Sequence, residues 1–531
     1  MRDLLRLSTA GSVDDGKSTL IGRLLYESGT LLKDQFASLK TGTDGEIPWA
    51  HLTDGLKAER EQGITIDVAY RFFQTQNRKY IVADTPGHAE FTRNMATGAS
   101  TADCALILID AQRGIRLQSK RHAFISLLMG IPHFIFAINK MDLVQFDRDR
   151  FDQIEHEMRQ FLAGHTLQSL HFVPISALRG DNITQTSEQT PWYRGRPLLD
   201  LLEDVPVVQP EEAEPFVLPV QYVMRPDANF RGYAGTLARG SVRAGSDVLV
   251  LPAGHRSRIT QIYNKGVAES SAQVGNAITL TLEDELAISR GDVLVSAEDS
   301  PELAHELKAQ VVWFNQEPLR PGQHLILKHS SQVRRVSIES LNFKYDMHNL
   351  EKQNANRLEL NEIGLVTLHL HRPLVALPFS QNKVLGSFIL IDPVQNYTLG
   401  AGLISEITAA PPKQDEEVWF DVAIQEDDQA LEMARLLETL LFRSGVKAIA
   451  LDARKHPEAI GDLAQIKGIL PLWSHLNAEA SKERLSIHFH SEETGPNCEV
   501  RGNALWINRR FVSPDEAAHL IHTHLIDAWM R

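Results

Sequence analysis

The residues with the clearest chemical potential in this chain are Gly11-Ser12-Val13-Asp14-Asp15-Gly16-Lys17-Ser18, followed by Thr19. The spacing G-x-x-x-x-G-K-S suits a loop whose glycines let successive backbone N–H groups face phosphate oxygens. Lys17 then reaches the β- and γ-phosphates of a nucleotide, and Ser18 offers a hydroxyl to Mg²⁺. A second cluster is Asp84-Thr85-Pro86-Gly87-His88. Asp84 can hold the Mg²⁺, typically through water, and a glycine N–H such as that of Gly87 can sense a γ-phosphate. A third is Asn139-Lys140-Met141-Asp142, in which Asp142 can accept from both the N1–H and the exocyclic amine of guanine. Adenine has no such donor pair, so this position selects the base. In the fourth, Ser176-Ala177-Leu178, a backbone N–H can meet the guanine carbonyl oxygen. Between the first two clusters lies Glu59-Arg60-Glu61-Gln62-Gly63-Ile64-Thr65-Ile66. A Thr65 hydroxyl completes the Mg²⁺ shell only while the γ-phosphate is present, and its release on hydrolysis would free the segment.

Such scattered residues act together only if the chain folds them to one place. The apolar runs Leu4–Leu7, Tyr80–Ala83, Ala105–Ile109, Phe134–Ile138 and Phe172–Ile175 scarcely alternate, as expected of parallel strands covered on both faces. Helical patterns such as Lys17–Tyr26 and Phe151–Leu162 separate them, which predicts a doubly wound α/β sheet. All four polar clusters follow such a strand, and the C-terminal edge is where open α/β sheets bind ligands. The spacing predicts a P-loop GTPase domain over 1–209.

Beyond Val205, the proline- and glutamate-rich stretch Pro206–Pro215 reads as a linker. Short Val-, Leu- and Tyr-rich runs punctuated by glycine predict a β-barrel domain over 210–300 and a second over 301–410. After Pro411-Pro412-Lys413 the texture returns to α/β, predicting a further domain over 411–531. Helical patterns there cover Gln429–Arg443 and Pro514–Trp529.

The whole chain has 531 residues, which predicts several domains. Its formal net charge of −14 argues against a generally DNA-coating protein, and 43% hydrophobic residues argue against wholesale disorder. Two cysteines, Cys104 and Cys498, make neither a disulfide framework nor a cysteine zinc cluster, so a reducing cytoplasm is expected. The charged start Met1–Ser8 is unlike a secretory signal, and no run reaches the roughly 20 apolar residues of a membrane helix. Three histidine pairs at i, i+2 (His369/His371, His488/His490, His522/His524) lack an identifiable third ligand, so metal binding by them is not expected.

The clusters resemble the translation-factor superfamily of GTPases, the group that contains elongation factor Tu, over roughly residues 4–410. The wording of Gly11–Thr19, of Arg60–Tyr70 and above all of Thr92-Arg93-Asn94-Met95-Ala96-Thr97-Gly98-Ala99-Ser100 is similar to one branch, the large GTPase subunit of heterodimeric bacterial sulfate adenylyltransferase. Elongation factors usually carry His where this chain has Ser12 and Asp15. The resemblance implies that GTP hydrolysis here drives a smaller, ATP pyrophosphatase-type subunit, which makes adenosine 5′-phosphosulfate and pyrophosphate from ATP and sulfate. It also implies that Lys17, Ser18, Thr65 and Asp84 serve phosphate and Mg²⁺, and that Asn139, Lys140, Asp142, Ser176 and Ala177 hold guanine. His88 would orient the attacking water, and Asp14 would lie beside a monovalent cation. Alternatives with the same three-domain core are a carrier of aminoacyl-tRNA and a regulatory switch. Some relatives end in an adenylylsulfate kinase. Here Val418–Phe420 and Lys447–Asp452 resemble its strands, yet Asp421–Asp428 has neither glycine nor lysine, so kinase activity is not expected.

Overall fold

The computed structural model describes residues 3–29, 49, 65–207, 214–227, 230–298 and 300–409, together with six strands of the tail. It divides into two compact units, Met1–Ala410 and Pro411–Arg531.

The first unit begins with the sheet that the apolar runs predict. Strand β1 (Asp3–Ala10) leads through the glycine loop into helix α1 (Lys17–Glu27). Two strands follow, β2 (Ala69–Gln74) and β3 (Arg78–Asp84), then helix α2 (Thr92–Ala99) and strand β4 (Cys104–Asp110). Helix α3 (Leu117–Leu128), strand β5 (His133–Asn139), helix α4 (Arg148–Phe161), strand β6 (Ser169–Pro174) and helix α5 (Leu198–Asp204) complete the domain. The strands run in the order β2-β3-β1-β4-β5-β6. All neighbours are parallel except β2, which pairs antiparallel with β3 at the edge. That edge strand escaped the sequence reading because its alternating Ala-Tyr-Arg-Phe-Phe-Gln is a one-face-exposed pattern rather than a buried run.

Strands β4 and β5 are buried at every position, so the sheet divides the apolar core into two faces. On one face, Leu20, Ile21 and Leu24 of α1 and Leu198, Leu201 and Leu202 of α5 pack on Leu5, Leu7, Leu106 and Ile135. On the other, Met95 and Ala99 of α2 and Ala123 and Phe124 of α3 pack on Ile107, Phe134 and Phe136. This second cluster continues into the barrel that follows later in the chain, through Val312, Met347, Ile363 and Leu403. Phe124 meets Tyr345 edge to face, with ring centroids 4.8 Å apart.

Both β-rich segments are β-barrels. The first is an antiparallel sheet between Val217 and Ser296, whose core includes Leu218, Tyr233, Val248, Ile262 and Leu280. In the second, the pairing of His324–His329, first in the strand order, with Gln332–Tyr345, last but one, closes the ring. Trp313, Leu327, Ile338, Leu368 and Leu390 fill it. Val217, Val293 and Val295 of the first barrel share a core with Val375, Leu377 and Leu385 of the second.

In the second unit, Phe420–Ala423, Leu485–His490 and Ala504–Asn508 run parallel, with Cys498–Arg501 antiparallel at the edge. Ala448–Ala450 pairs in parallel with Leu470–Leu472. The helical patterns Gln429–Arg443 and Pro514–Trp529, and the His522/His524 pair, lie outside the described residues. His488 and His490 share one strand, as do His369 and His371. Among the described residues no group of three or more His, Cys, Asp or Glu is arranged to hold a metal ion.

Candidate nucleotide-binding site

Four loops leave the C-terminal ends of β1, β3, β5 and β6, and side-chain hydrogen bonds join those after β1, β5 and β6. Helix α1 starts at Lys17, directly after Gly16, whose φ of 92° is left-handed. A β-carbon at Gly16 would run into Asn139 Nδ2, so the loop needs glycine there for space as well as for backbone angle. Asn139, the last residue of β5, is the staple. Its Nδ2 donates to the Asp15 carbonyl at 2.8 Å, and its Oδ1 accepts from the Ala177 N–H at 2.9 Å. Of the three amides of Ser176–Leu178, one of which is expected to face a guanine oxygen, that of Ala177 is thus engaged with Asn139. The Ser176 N–H reaches the Asp181 carbonyl at 3.4 Å, and Leu178 is partly exposed with its carbonyl accepting from Arg23.

Within the glycine loop, Lys17 is buried and its Nζ donates to the carbonyls of Gly11 and Ser12, 3.0 Å each. Burial pulls its pKa down, while Asp84, Asp15 and Asp14 favour the charged form. Asp15 is also buried, and its Oδ2 accepts the Ser12 N–H at 2.6 Å. Burial pushes its carboxyl up to about 6 against the pull of Lys17. Asp14 is exposed, in a left-handed conformation with φ 68°, and meets Arg113 at 3.4 Å. Val13, Ser18 and Thr19 are half-buried at the loop and the first turn of α1.

Asp84 ends β3 and is 2% exposed. The hydroxyl of Ser18 and the carboxylate of Asp84 are hard oxygen donors, the set that suits Mg²⁺. Gly87 closes over the glycine loop: a β-carbon there would stand 2.5 Å from Lys17 Nζ and 2.7 Å from the Gly11 carbonyl. His88 caps the short turn Ala89–Phe91, its Nδ1 accepting the Glu90 N–H at 3.4 Å, and its side chain is 45% exposed. Glu59–Ile64 lie outside the described residues, but Thr65 is half-buried. The next residue, Ile66, is held through its carbonyl by Asn94 Nδ2 at 2.9 Å. Asn94 belongs to the Thr92–Ser100 run, so that run anchors the segment carrying Thr65. Gly98 in the same helix lets α2 approach Thr85, where a β-carbon would come within 2.5 Å of the threonine methyl.

At the base-reading end, Lys140 is left-handed at φ 62° and its Nζ meets Asp110 at 2.8 Å. Burial works against the Asp110 charge, but Lys140 and the Gln112 and Arg113 amides outweigh it and hold this carboxyl below its usual range. The Asp142 side chain is 7% exposed, with Arg179 at 3.8 Å.

Three residues of this site were missed in the sequence. Asp110 ends a buried strand, so the rule that picked out Asp84 applied to it too. Ser119 in the first turn of α3 and His122 in its middle reach the glycine loop, which no local pattern signals: Ser119 Oγ lies 3.4 Å from Ser12 Oγ, and His122 Nδ1 accepts the Gly11 N–H at 3.2 Å.

Comparison with known proteins agrees with this architecture. Residues 2–207 match the elongation factor Tu GTP binding domain family, and residues 306–405 match the GTP-eEF1A C-terminal domain-like family. The chain is 49% identical over 414 residues to sulfate adenylyltransferase subunit 1 of Tolumonas auensis, covering 77% of this chain and 88% of that one. With the subunit 1 of Alteromonas mediterranea it shares 46% over 409 residues, covering 76% and 87%. It is also 48% identical over 410 residues to the bifunctional enzyme CysN/CysC of Xylella fastidiosa, covering 76% of this chain and 66% of that protein.

Proposed function

This chain belongs to the sulfate adenylyltransferase subunit 1 family, and from that membership we propose that it is the GTP-hydrolysing subunit of a sulfate adenylyltransferase. It drives formation of adenosine 5′-phosphosulfate and pyrophosphate from ATP and sulfate, in sulfate assimilation. Its partner is the smaller, ATP pyrophosphatase-type subunit, and its setting is the cytoplasm. Among the described residues no helix is long and apolar enough to cross a membrane. The domain limits follow as 1–209, 210–300, 301–410 and 411–531.

The observation that carries the reading is the Asn139 staple, which brings the glycine loop and the Ser176–Leu178 loop to the same strand end as Asp142. Asp142 accepts two hydrogen bonds from guanine and so sets base choice. Lys17 turns from its own loop carbonyls to the β- and γ-phosphates, with the amides of Gly16–Thr19 around them. Ser18, Thr65 and Asp84 would hold Mg²⁺, which neutralises charge on the transferring phosphate. Gly87 senses the γ-phosphate through its N–H, and His88 orients the attacking water. The remaining contacts of Lys140, Ser176, Ala177 and Leu178 shape the base wall.

The test is reconstitution. The purified chain mixed with the ATP pyrophosphatase-type subunit, ATP and sulfate should make adenylylsulfate only when GTP is hydrolysed. Tight binding of aminoacyl-tRNA with no GTP-dependent adenylylsulfate would instead support the carrier reading.

A further inference from the structure

The imidazole of His122 is fully buried in the middle of α3, and none of the roles given above uses it. Its Nδ1 lies 3.2 Å from the Gly11 nitrogen, at the first residue of the phosphate loop. A backbone N–H can only donate, so Nδ1 must present its lone pair, because a protonated Nδ1 would set two N–H groups against each other. The ring proton therefore sits on Nε2, which lies 2.7 Å from the Gln118 carboxamide nitrogen, while the Gln118 oxygen accepts from Arg121 at 2.7 Å. One turn earlier on the same face, Ser119 Oγ lies 3.4 Å from Ser12 Oγ. Two adjacent loop residues are thus gripped by one helix.

We propose that His122 is a positioning residue for nucleotide binding, its neutral imidazole holding the Gly11 amide so that the phosphate loop keeps its shape. The inference rests on the reading of Gly11–Thr19 as the phosphate site. Phosphate loops bind through several amides aimed at one anion, and an amide that swings out is lost to the ensemble. A loop held in place before the ligand arrives avoids that ordering cost on binding. The surroundings keep the ring neutral: burial, then Lys17 and Arg121, push its pKa down to about 3. Its lone pair is therefore available to the loop across the whole pH range of a living cell. The far side of α3 is also anchored. Lys120 Nζ donates to the His348 carbonyl at 3.1 Å, and Phe124 packs on Tyr345. The helix that grips the loop is itself fixed to the second barrel.

The experiment uses the full chain and a fluorescent GDP. His122→Leu keeps bulk but removes the acceptor; His122→Asn keeps an acceptor oxygen at the position of Nδ1. The leucine variant should release GDP about tenfold faster, as expected for losing one partner of a buried hydrogen bond. The asparagine variant should stay within about twofold of the parent. Preference for guanine over adenine should be unchanged in both. Equal release from parent and leucine variant, or equal defects in the two variants, would overturn the proposal. Failure of the parent to take up GDP would overturn the phosphate-site reading and the inference with it. Should the leucine variant not fold, nitrogen NMR of histidine-labelled parent decides. A neutral Nε2–H ring down to pH 5 is required, and a ring that protonates near its ordinary pKa overturns the role.

Discussion

The Asn139 carboxamide nitrogen donates to the Asp15 carbonyl across 2.8 Å, so a base-side strand end holds the phosphate-side loop. The other end of the same carboxamide accepts from Ala177. Asn139→Ala strips both bonds and leaves a buried carbonyl and a buried amide without partners. Each orphaned group costs about 1–3 kcal/mol, so GTP affinity should fall by roughly 10- to 100-fold. Calorimetric titration with GTP measures this directly; an unchanged affinity would show that the loops hold without the staple.

Asp142→Asn should change which nucleotide is chosen rather than whether one is bound. The carboxylate accepts two hydrogen bonds from guanine, whereas a carboxamide offers one acceptor and one donor. A purine with a carbonyl in place of the exocyclic amine complements that set. The variant should lose roughly 10- to 100-fold in GTP affinity, as expected for a charge-assisted pair, and gain for xanthosine triphosphate. Competition binding with the two triphosphates is the measurement. Parallel loss of both would place Asp142 outside the base contact.

Asp15 links stability to pH. Its folded-state pKa is raised to about 6 from 3.8, chiefly by burial, so folding favours the protonated carboxyl. The stability this gives is fully present below pH 3.8 and is lost as pH rises through about 6. The linked loss is on the order of 3 kcal/mol, because each pH step between the unfolded and folded values is worth about 1.4 kcal/mol. Asp15→Asn keeps an oxygen for the Ser12 N–H and cannot ionise. Nucleotide-free parent and variant should therefore have similar first unfolding temperatures below about pH 4, with the variant increasingly the more stable as pH rises to about 6 and the gap level above that. A gap that stays constant from pH 4 to pH 8 would remove Asp15 as its source.

These residues differ in how plainly the sequence announced them. Gly11–Ser18, Asp84 and Asn139–Asp142 are contiguous, and each follows an apolar run, so strand periodicity alone put them on one sheet edge. The four predicted site loops therefore needed no knowledge of tertiary contacts. His122 and Ser119 are different, because their partners Gly11 and Ser12 are more than a hundred positions away and join them only when α3 packs on β4. Strand β2 was hidden for another reason: an exposed edge strand lacks the continuous burial that marks its neighbours. Nor did the Ala177 sequence reveal that its N–H is taken by Asn139, since a backbone donor has no residue-type signature.

His88 presents the sharpest separation of binding from chemistry. Its ring is half-exposed and its Nδ1 is occupied by the Glu90 amide, which leaves Nε2 as the end that can meet water. The turn it caps is tied to the second barrel, where Asn361 Nδ2 donates to the Ala89 carbonyl at 2.9 Å. His88→Ala removes no group that touches base or phosphate, so GTP affinity should stay within about twofold. Hydrolysis stimulated by the partner subunit should fall by about 100-fold or more, on the order of what a positioned acid–base side chain contributes. Asn361→Ala keeps the imidazole but unties its turn, and should give a smaller loss of the same kind with affinity again intact. Single-turnover hydrolysis beside equilibrium binding separates the two effects, and hydrolysis at the parent rate in His88→Ala would move the water-orienting role to another residue.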